Sequence, residues 1–347
     1  MTTLVGSSES QTMIAALGDA VEAQWAKVNF EISAFAEIAR RQLDQSNIMF
    51  GGAQPPLSWF ISGHDLPTQH MRDFGEPPIN LFSNEHFFIE LLTWLSSTHA
   101  IHEHAFTGAF GLLGGKSYHA TYTFESAARP TNDIATGKLQ FTGYEILYPG
   151  AVRAIPPGSA LIHVNMHLES PSFTIVIRTR SIPAYRPQMR YYDCGVAIDE
   201  RYEPEPFRTK LALLRSMATF DQPTFWHLCA SSLGAADLHV SVGILRIAAR
   251  FCISERERYE NLVSIANERN GEIVTALDAF ARRSAWEIAA LRRRFAIADP
   301  AGRLFVNLMM TARTRDILEH IATDIFPNRE VDEMIAKYVP NLYPLAF

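Results

Sequence analysis

The sequence predicts an α+β protein in which an antiparallel β-domain lies between an N-terminal helical segment and a C-terminal all-helical region. Three observations lead there. Apolar residues recur every three or four positions near the start of the chain. Short runs rich in Thr, Tyr, Phe, Val and Ile, bounded by turn residues, fill the middle. Helical periodicity then returns after about residue 204. The expected boundaries are 1–90 for the helical segment and its loops, 91–204 for the β-domain and 205–347 for the helical region.

In order, Ile14, Leu17, Val21, Trp25, Val28, Ile32 and Phe35 form one apolar stripe over residues 11–45, long enough that a helix there bends or breaks. Residues 46–83, with "GGAQPP" and "GEPPINLF", read as extended loop and turns. "SNEHFFIELLTWL", 83–95, reads as a short helix capped by Ser83 or Asn84. Four runs then read as strands: "SYHATYTFE", "KLQFTGYEILY", "SALIHVNMHLE" and "SFTIVIRTR". "ARPTNDIATG", 128–137, reads as a polar loop between two of them. In the last third, Ser254 and Glu257 suggest a capping box, and Asp299 before Pro300 suggests an N-cap followed by N1. Leu277, Phe280, Ile288, Leu291 and Phe295 mark the apolar face of a long helix, and Leu304, Leu308, Ile317, Leu318 and Ile321 continue the pattern. These stripes need a partner, so residues 205–347 are expected to pack as a bundle on the β-domain or across a homodimer.

Composition narrows the function. Of 347 residues 47% are hydrophobic, enough for a substantial core. Net charge is −6, and the densest basic run, Arg292 to Arg294, reads as a solvated helix face, so no nucleic-acid partner is expected. No apolar run approaches the ~18 residues of a membrane span. "MTTLVGSSESQTM" has neither the basic nor the apolar part of a signal peptide, and Cys194, Cys229 and Cys252 are an odd, widely spaced set. The expectation is a soluble cytoplasmic protein without a disulfide framework.

The histidines carry the chemistry. Residues 97–119, "STHAIHEHAFTGAFGLLGGKSYH", hold four of them. On a strand, His102 and His104 project to one face and Glu103 to the other. Two imidazoles so placed can share a cation, and His163, in another β-rich run, is the candidate third ligand. His167, four residues on, is expected on the same face and is a candidate catalytic residue. His99 and His119 have the opposite parity to the 102/104 pair and are left out of the ligand set. Three imidazoles with open positions make a catalytic rather than a closed structural site.

The spacing resembles the cupin superfamily, whose first motif is G(X)5HXH(X)3,4E(X)6G and whose second is G(X)5PXG(X)2H(X)3N. His102 and His104 fill HXH, and Gly115 stands where the turn glycine falls. Gly150, "AVRAI", Pro156, Pro157 and Gly158 fit the start of the second motif. Gly108 replaces the glutamate, Ser96 the leading glycine, two additional residues separate Gly158 from His163, and His167 stands in place of Asn. "IHEH", 101–104, is similar to the start of the thiol dioxygenases, cupins of the cysteine dioxygenase kind. The resemblance covers about residues 99–180. It implies a jelly-roll barrel and Fe(II), or another divalent metal, held by His102, His104 and His163. It also implies a small polar substrate such as an amino acid or thiol, with O2 as the second partner. Two other functions stay open: a non-oxidative cupin isomerase or lyase, and a small-molecule-binding cupin without catalysis.

Around such a site, Tyr122 is a candidate catalytic phenol and Tyr118 a substrate-binding one. Arg178, which interrupts an apolar strand, and Arg153 are candidates to clamp a substrate carboxylate. Glu125 and Glu145 are the carboxylates that would join a two-His set. Glu in place of Gly108 is expected to rebuild the usual ligand set while keeping the metal.

Overall fold

The computed structural model describes residues 7–46, 48, 67–69, 75–96, 100–199, 207–312 and 314–340. It is α+β. Helices α1 (Ser7–Ala26) and α2 (Ile32–Gln45) come first. Then follow β1 (Pro78–Ser83), β2 (Phe87–Trp94), β3 (Ile101–His104), β4 (Gly108–Gly114), β5 (Ser117–Thr131) and β6 (Ile134–Leu147). β7 (Val152–Ile155), β8 (Gly158–His167), β9 (Ser172–Thr179), β10 (Arg190–Tyr191) and β11 (Val196–Ile198) complete the strands. The C-terminal helices are α3 (Phe207–Phe220), α4 (Gln222–Leu233), α5 (Leu238–Ala248), α6 (Arg256–Asn270), α7 (Ile273–Ala296), α8 (Pro300–Thr311), α9 (Arg315–Ile325) and α10 (Val331–Tyr338). One antiparallel sheet has the order β1-β2-β9-β4-β7, and the other, β10-β11-β6-β5-β8-β3, closes as a barrel. Among the described residues, no helix is long and apolar enough to cross a membrane.

The chain packs as two compact units. The first comprises residues 1–123 and 140–188, the second 124–139 and 189–347. These differ from the expected boundaries at 90/91 and 204/205, because β5 and β6 are long enough to run from one unit into the other.

In the first unit the five-stranded sheet is covered on one face by α1 and α2. Ile14, Leu17, Val21, Trp25, Phe35 and Leu43 pack there against Phe87, Ile89 and Leu91 of β2 and Phe173, Ile175 and Ile177 of β9. The expected single stripe breaks at the turn before α2, where Asn29 and Phe30 have φ of 52° and 56°. The opposite face of the sheet carries Leu92, Trp94, Phe110, Leu112 and Val176. β2 is therefore buried on both faces, and its unbroken apolar run is that of an interior strand, not of the short helix expected over 83–95. Asn84 does cap, but a turn: its Oδ1 accepts from the His86 and Phe87 amides at 2.9 Å. β1 likewise replaces the tail of the expected loop. The polar loop over 128–137 is a hairpin, with only Asn132 and Asp133 between β5 and β6.

In the second unit Ile134, Tyr192, Val196 and Ile198 pack with Val242 of α5 and Leu277 and Phe280 of α7. A second core joins α3, α4, α5, α6 and α7 around Phe225, Leu245, Tyr259 and Val274. Asp299 caps α8 as expected, accepting from the Ala301 amide at 3.0 Å with Pro300 in the first turn. The capping box does not form. α6 begins at Arg256, and Ser254 Oγ donates back to the Phe251 carbonyl at 3.5 Å. Phe295 is exposed rather than on the apolar face.

Candidate metal centre

The site is built in the first unit, where β3 lies against β8. His102 stands opposite His163, and His104 opposite Gly158, so the ladder bulges between the two pairs. The additional residues between Gly158 and His163 are taken up here, and a bulge re-aims side chains. Three glycines of the motif spacing have left-handed backbone: Gly115 (φ 81°), Gly150 (φ 94°) and Gly158 (φ 63°).

Each of His102, His104 and His163 offers a ring nitrogen within 4.8 Å of the others, the one metal-capable group of three found among the described residues. The His104 and His163 Nε2 atoms stand 2.9 Å apart. Two imidazole nitrogens about 2.1 Å from one cation and at right angles to each other lie about 3 Å apart. The pair already holds that spacing. His104 and His163 are buried and His102 half-buried, so the group has a dry side and an open side. The dry side is aromatic: Phe106 lies 4.5 Å from the His104 ring and Phe110 6.4 Å from the His163 ring, centroid to centroid.

Burial is the main reason that both His104 and His163 sit well below the ordinary histidine pKa. The neighbouring imidazoles push both further down, as does Arg178 for His104. A neutral imidazole is the form that donates a lone pair. His102 Nδ1 lies 2.9 Å from the Ala100 carbonyl and therefore carries its proton there, leaving Nε2 for a cation.

The neighbours differ from expectation. His119, set aside on parity, belongs to the site: its Nε2 is 2.9 Å from His163 Nδ1, and its Nδ1 3.1 Å from Glu145 Oε1. Parity relates residues within a strand, whereas register relates strands. β5 pairs Thr121 with His163, which puts His119 on the histidine face. The same register corrects the tyrosines. Tyr118 pairs with Met166 and Tyr122 with Ile162, on the opposite face of β5, and both are buried. Tyr118 packs on Tyr144, and Tyr122 on Phe141, away from the histidines.

Arg153 is taken by Glu145, with Nε donating at 2.8 Å and Nη2 making a second bond. It anchors a carboxylate of the protein rather than one of a substrate. Those bonds, the Arg153 ones first, hold Glu145 at a pKa of about 2. Glu145 thus stands behind His119 and outside the group of three. Arg178 Nε donates to buried Glu90 at 3.0 Å, and its guanidinium lies 4.6 and 4.7 Å from the rings of Phe88 and Phe106.

His167 is on the same face as His163 but has other company. Its ring stacks on Trp94 at 4.5 Å, and its Nδ1 is 3.0 Å from both Ser117 Oγ and Ser172 Oγ. It is a core histidine at the far end of β8 rather than a member of the metal-capable group. Gly108 has no room for the missing carboxylate: a Cβ there would stand 2.0 Å from the Ile177 carbonyl oxygen. The expectation that Glu at 108 rebuilds a ligand set is therefore withdrawn. His64, His70 and His99 lie outside the described residues.

Neither a family model nor a curated protein matches the sequence. Among solved structures, the chain is similar to one titled "Crystal structures of DMSP lyases RdDddP and RnDddQII". Identity is 15% and the TM-score 0.24, with 38% of this chain and 66% of that chain covered, so the match spans just under two thirds of its length. It is also similar to one from a crystal structure of hydroquinone 1,2-dioxygenase PnpCD with Cd2+ and 4-hydroxybenzonitrile. There identity is 13% and the TM-score 0.24, over 42% of this chain and 77% of that one.

Proposed function

We propose that the chain is a metal-dependent enzyme of cupin type, in which His102, His104 and His163 hold one divalent cation, Fe(II), and that it oxygenates a small anionic substrate. The observation that carries this reading is the convergence of three imidazoles in one group that contains no carboxylate. With only neutral donors the cation's double charge is not offset, and anionic groups are drawn to its open positions. When bound, the cation supplies Lewis acidity and, as Fe(II), a redox centre for dioxygen.

The chain's own residues do the rest. His102, half-buried, lies on the side by which substrate enters. Phe106 and Phe110 exclude water from the opposite side, which strengthens every charge interaction within. Arg178, held by Glu90 in its place between Phe88 and Phe106 with its charge acting on His104, is the cation proposed to face the substrate's acidic group.

The test is anaerobic loading with Fe(II), followed by an oxygen-uptake screen over amino acids and thiols. Fe(II)-dependent uptake with one class of substrate is the expected result. Failure to bind Fe(II) contradicts the reading. Equal turnover with Zn(II) under strict anaerobiosis would instead assign the non-oxidative lyase or isomerase class.

A further inference from the structure

Behind the three histidines runs a line of hydrogen-bonded polar groups. His163 Nδ1 meets His119 Nε2 at 2.9 Å, His119 Nδ1 meets Glu145 Oε1 at 3.1 Å, and Glu145 is held by Arg153 through Nε at 2.8 Å and through Nη2. The four residues come from four strands: β8, β5, β6 and β7. His119 is buried and packs its ring 5.7 Å from Phe110.

We propose that His119 is a positioning residue for the metal centre, fixing the tautomer and ring orientation of His163 through a hydrogen-bond line that ends on the Glu145–Arg153 pair. The inference rests on the reading that His102, His104 and His163 hold a cation. The direction of the line follows from proton counting. His163 Nε2 faces His104 and the proposed cation, so its lone pair is committed there and the ring proton must sit on Nδ1. That N–H donates to His119 Nε2. An accepting Nε2 places the His119 proton on Nδ1, which donates to Glu145. Glu145 also accepts from Arg153 and is anionic, so every donor meets an acceptor and no proton has to move. A carboxylate at the end of such a line makes His163 a better lone-pair donor and stops its ring from turning. Arg153 keeps Glu145 from swinging forward to become a ligand itself.

Alternation along β5 decides which face of its own strand His119 takes, while register decides that this face meets the histidines. In "SYHATYTFE" the histidine alternates with Tyr118, Ala120 and Tyr122, so it must take the face they do not.

The test uses the full chain and Co(II) as the probe, with affinity read by chelator competition and coordination by visible absorbance. His119→Phe, which keeps the ring and loses both nitrogens, should weaken Co(II) binding about 10–100-fold. The melting temperature of its metal-free form should match that of wild type. His119→Gln should restore most of the affinity, since its carboxamide accepts from His163 and donates to Glu145 with the same polarity. Phe and Gln variants impaired alike would mean that accepting from His163 and donating to Glu145 does not support the metal, and would overturn the proposal. So would a Phe variant whose affinity stays within about twofold of wild type, and then the ligand assignment would stand. A wild-type protein that does not bind Co(II), or binds it equally well after His163→Ala, overturns the three-histidine reading and this inference with it. Should His119→Phe fail to fold, 15N NMR of Zn(II)-loaded wild type decides directly. His119 protonated on Nδ1 supports the line, and protonation on Nε2 reverses it.

Discussion

His163 and His167 stand four positions apart on one strand, and their surroundings give them different work. His163 is ringed by imidazoles, whereas His167 is wedged between Trp94 and two serine hydroxyls. Burial alone pushes His167 down to a pKa of about 3. It is therefore neutral in the folded protein at neutral pH, while in the unfolded chain it takes up a proton below about 6.5. The unfolded state then binds more protons, so stability falls as pH drops from about 6.5 towards 3, by up to about 1.4 kcal/mol per pH unit from this residue. Denaturant unfolding of His167→Phe should show a shallower pH dependence over that window than wild type. An unchanged slope would mean that His167 is not held neutral. At this scale the three-histidine group was legible, since an HXH pair and one further strand histidine suffice to suggest it. His119 and the tyrosines were misplaced because which faces of β5 and β8 coincide is set by register, which no single strand encodes.

Among the elements, β5 and β9 were legible as strands although β9 and the start of β5 are buried on both faces, and β2 was not. β5 begins as "SYHATYTF" and shows its turn residues plainly. β2 is buried along its whole length, with Phe87, Ile89 and Leu91 towards α1 and α2 and Leu92 and Trp94 on the other face, so no alternation appears in its sequence. Strand and helix cannot be told apart by periodicity in such a run. Gly108 shows the tightness of this sheet. β4 passes so close to β9 that a methyl group at 108 meets the Ile177 carbonyl. Gly108→Ala should therefore cost about 1–3 kcal/mol or more, as overpacked sites do. The measurement is the denaturation midpoint, and one equal to wild type would contradict the strand spacing.

For the molecule as a whole, the order of helix, strand and helix was legible, but the partition of the chain was not. Residues 124–139, the far end of the β5–β6 hairpin, belong to the second unit, where Ile134 shares a core with Leu277 and Phe280. Such a contact joins residues far apart in sequence, and local patterns carry no trace of it. The first unit, by contrast, contains every residue of the candidate centre and of the line behind it. The account stands or falls on whether that unit binds a single cation through His102, His104 and His163. The most direct measurement is anomalous diffraction at the iron edge from crystals of the protein loaded anaerobically with Fe(II). The account predicts one peak about 2.0–2.2 Å from a ring nitrogen of each of the three histidines. No peak there, or a peak held by other side chains, would contradict it.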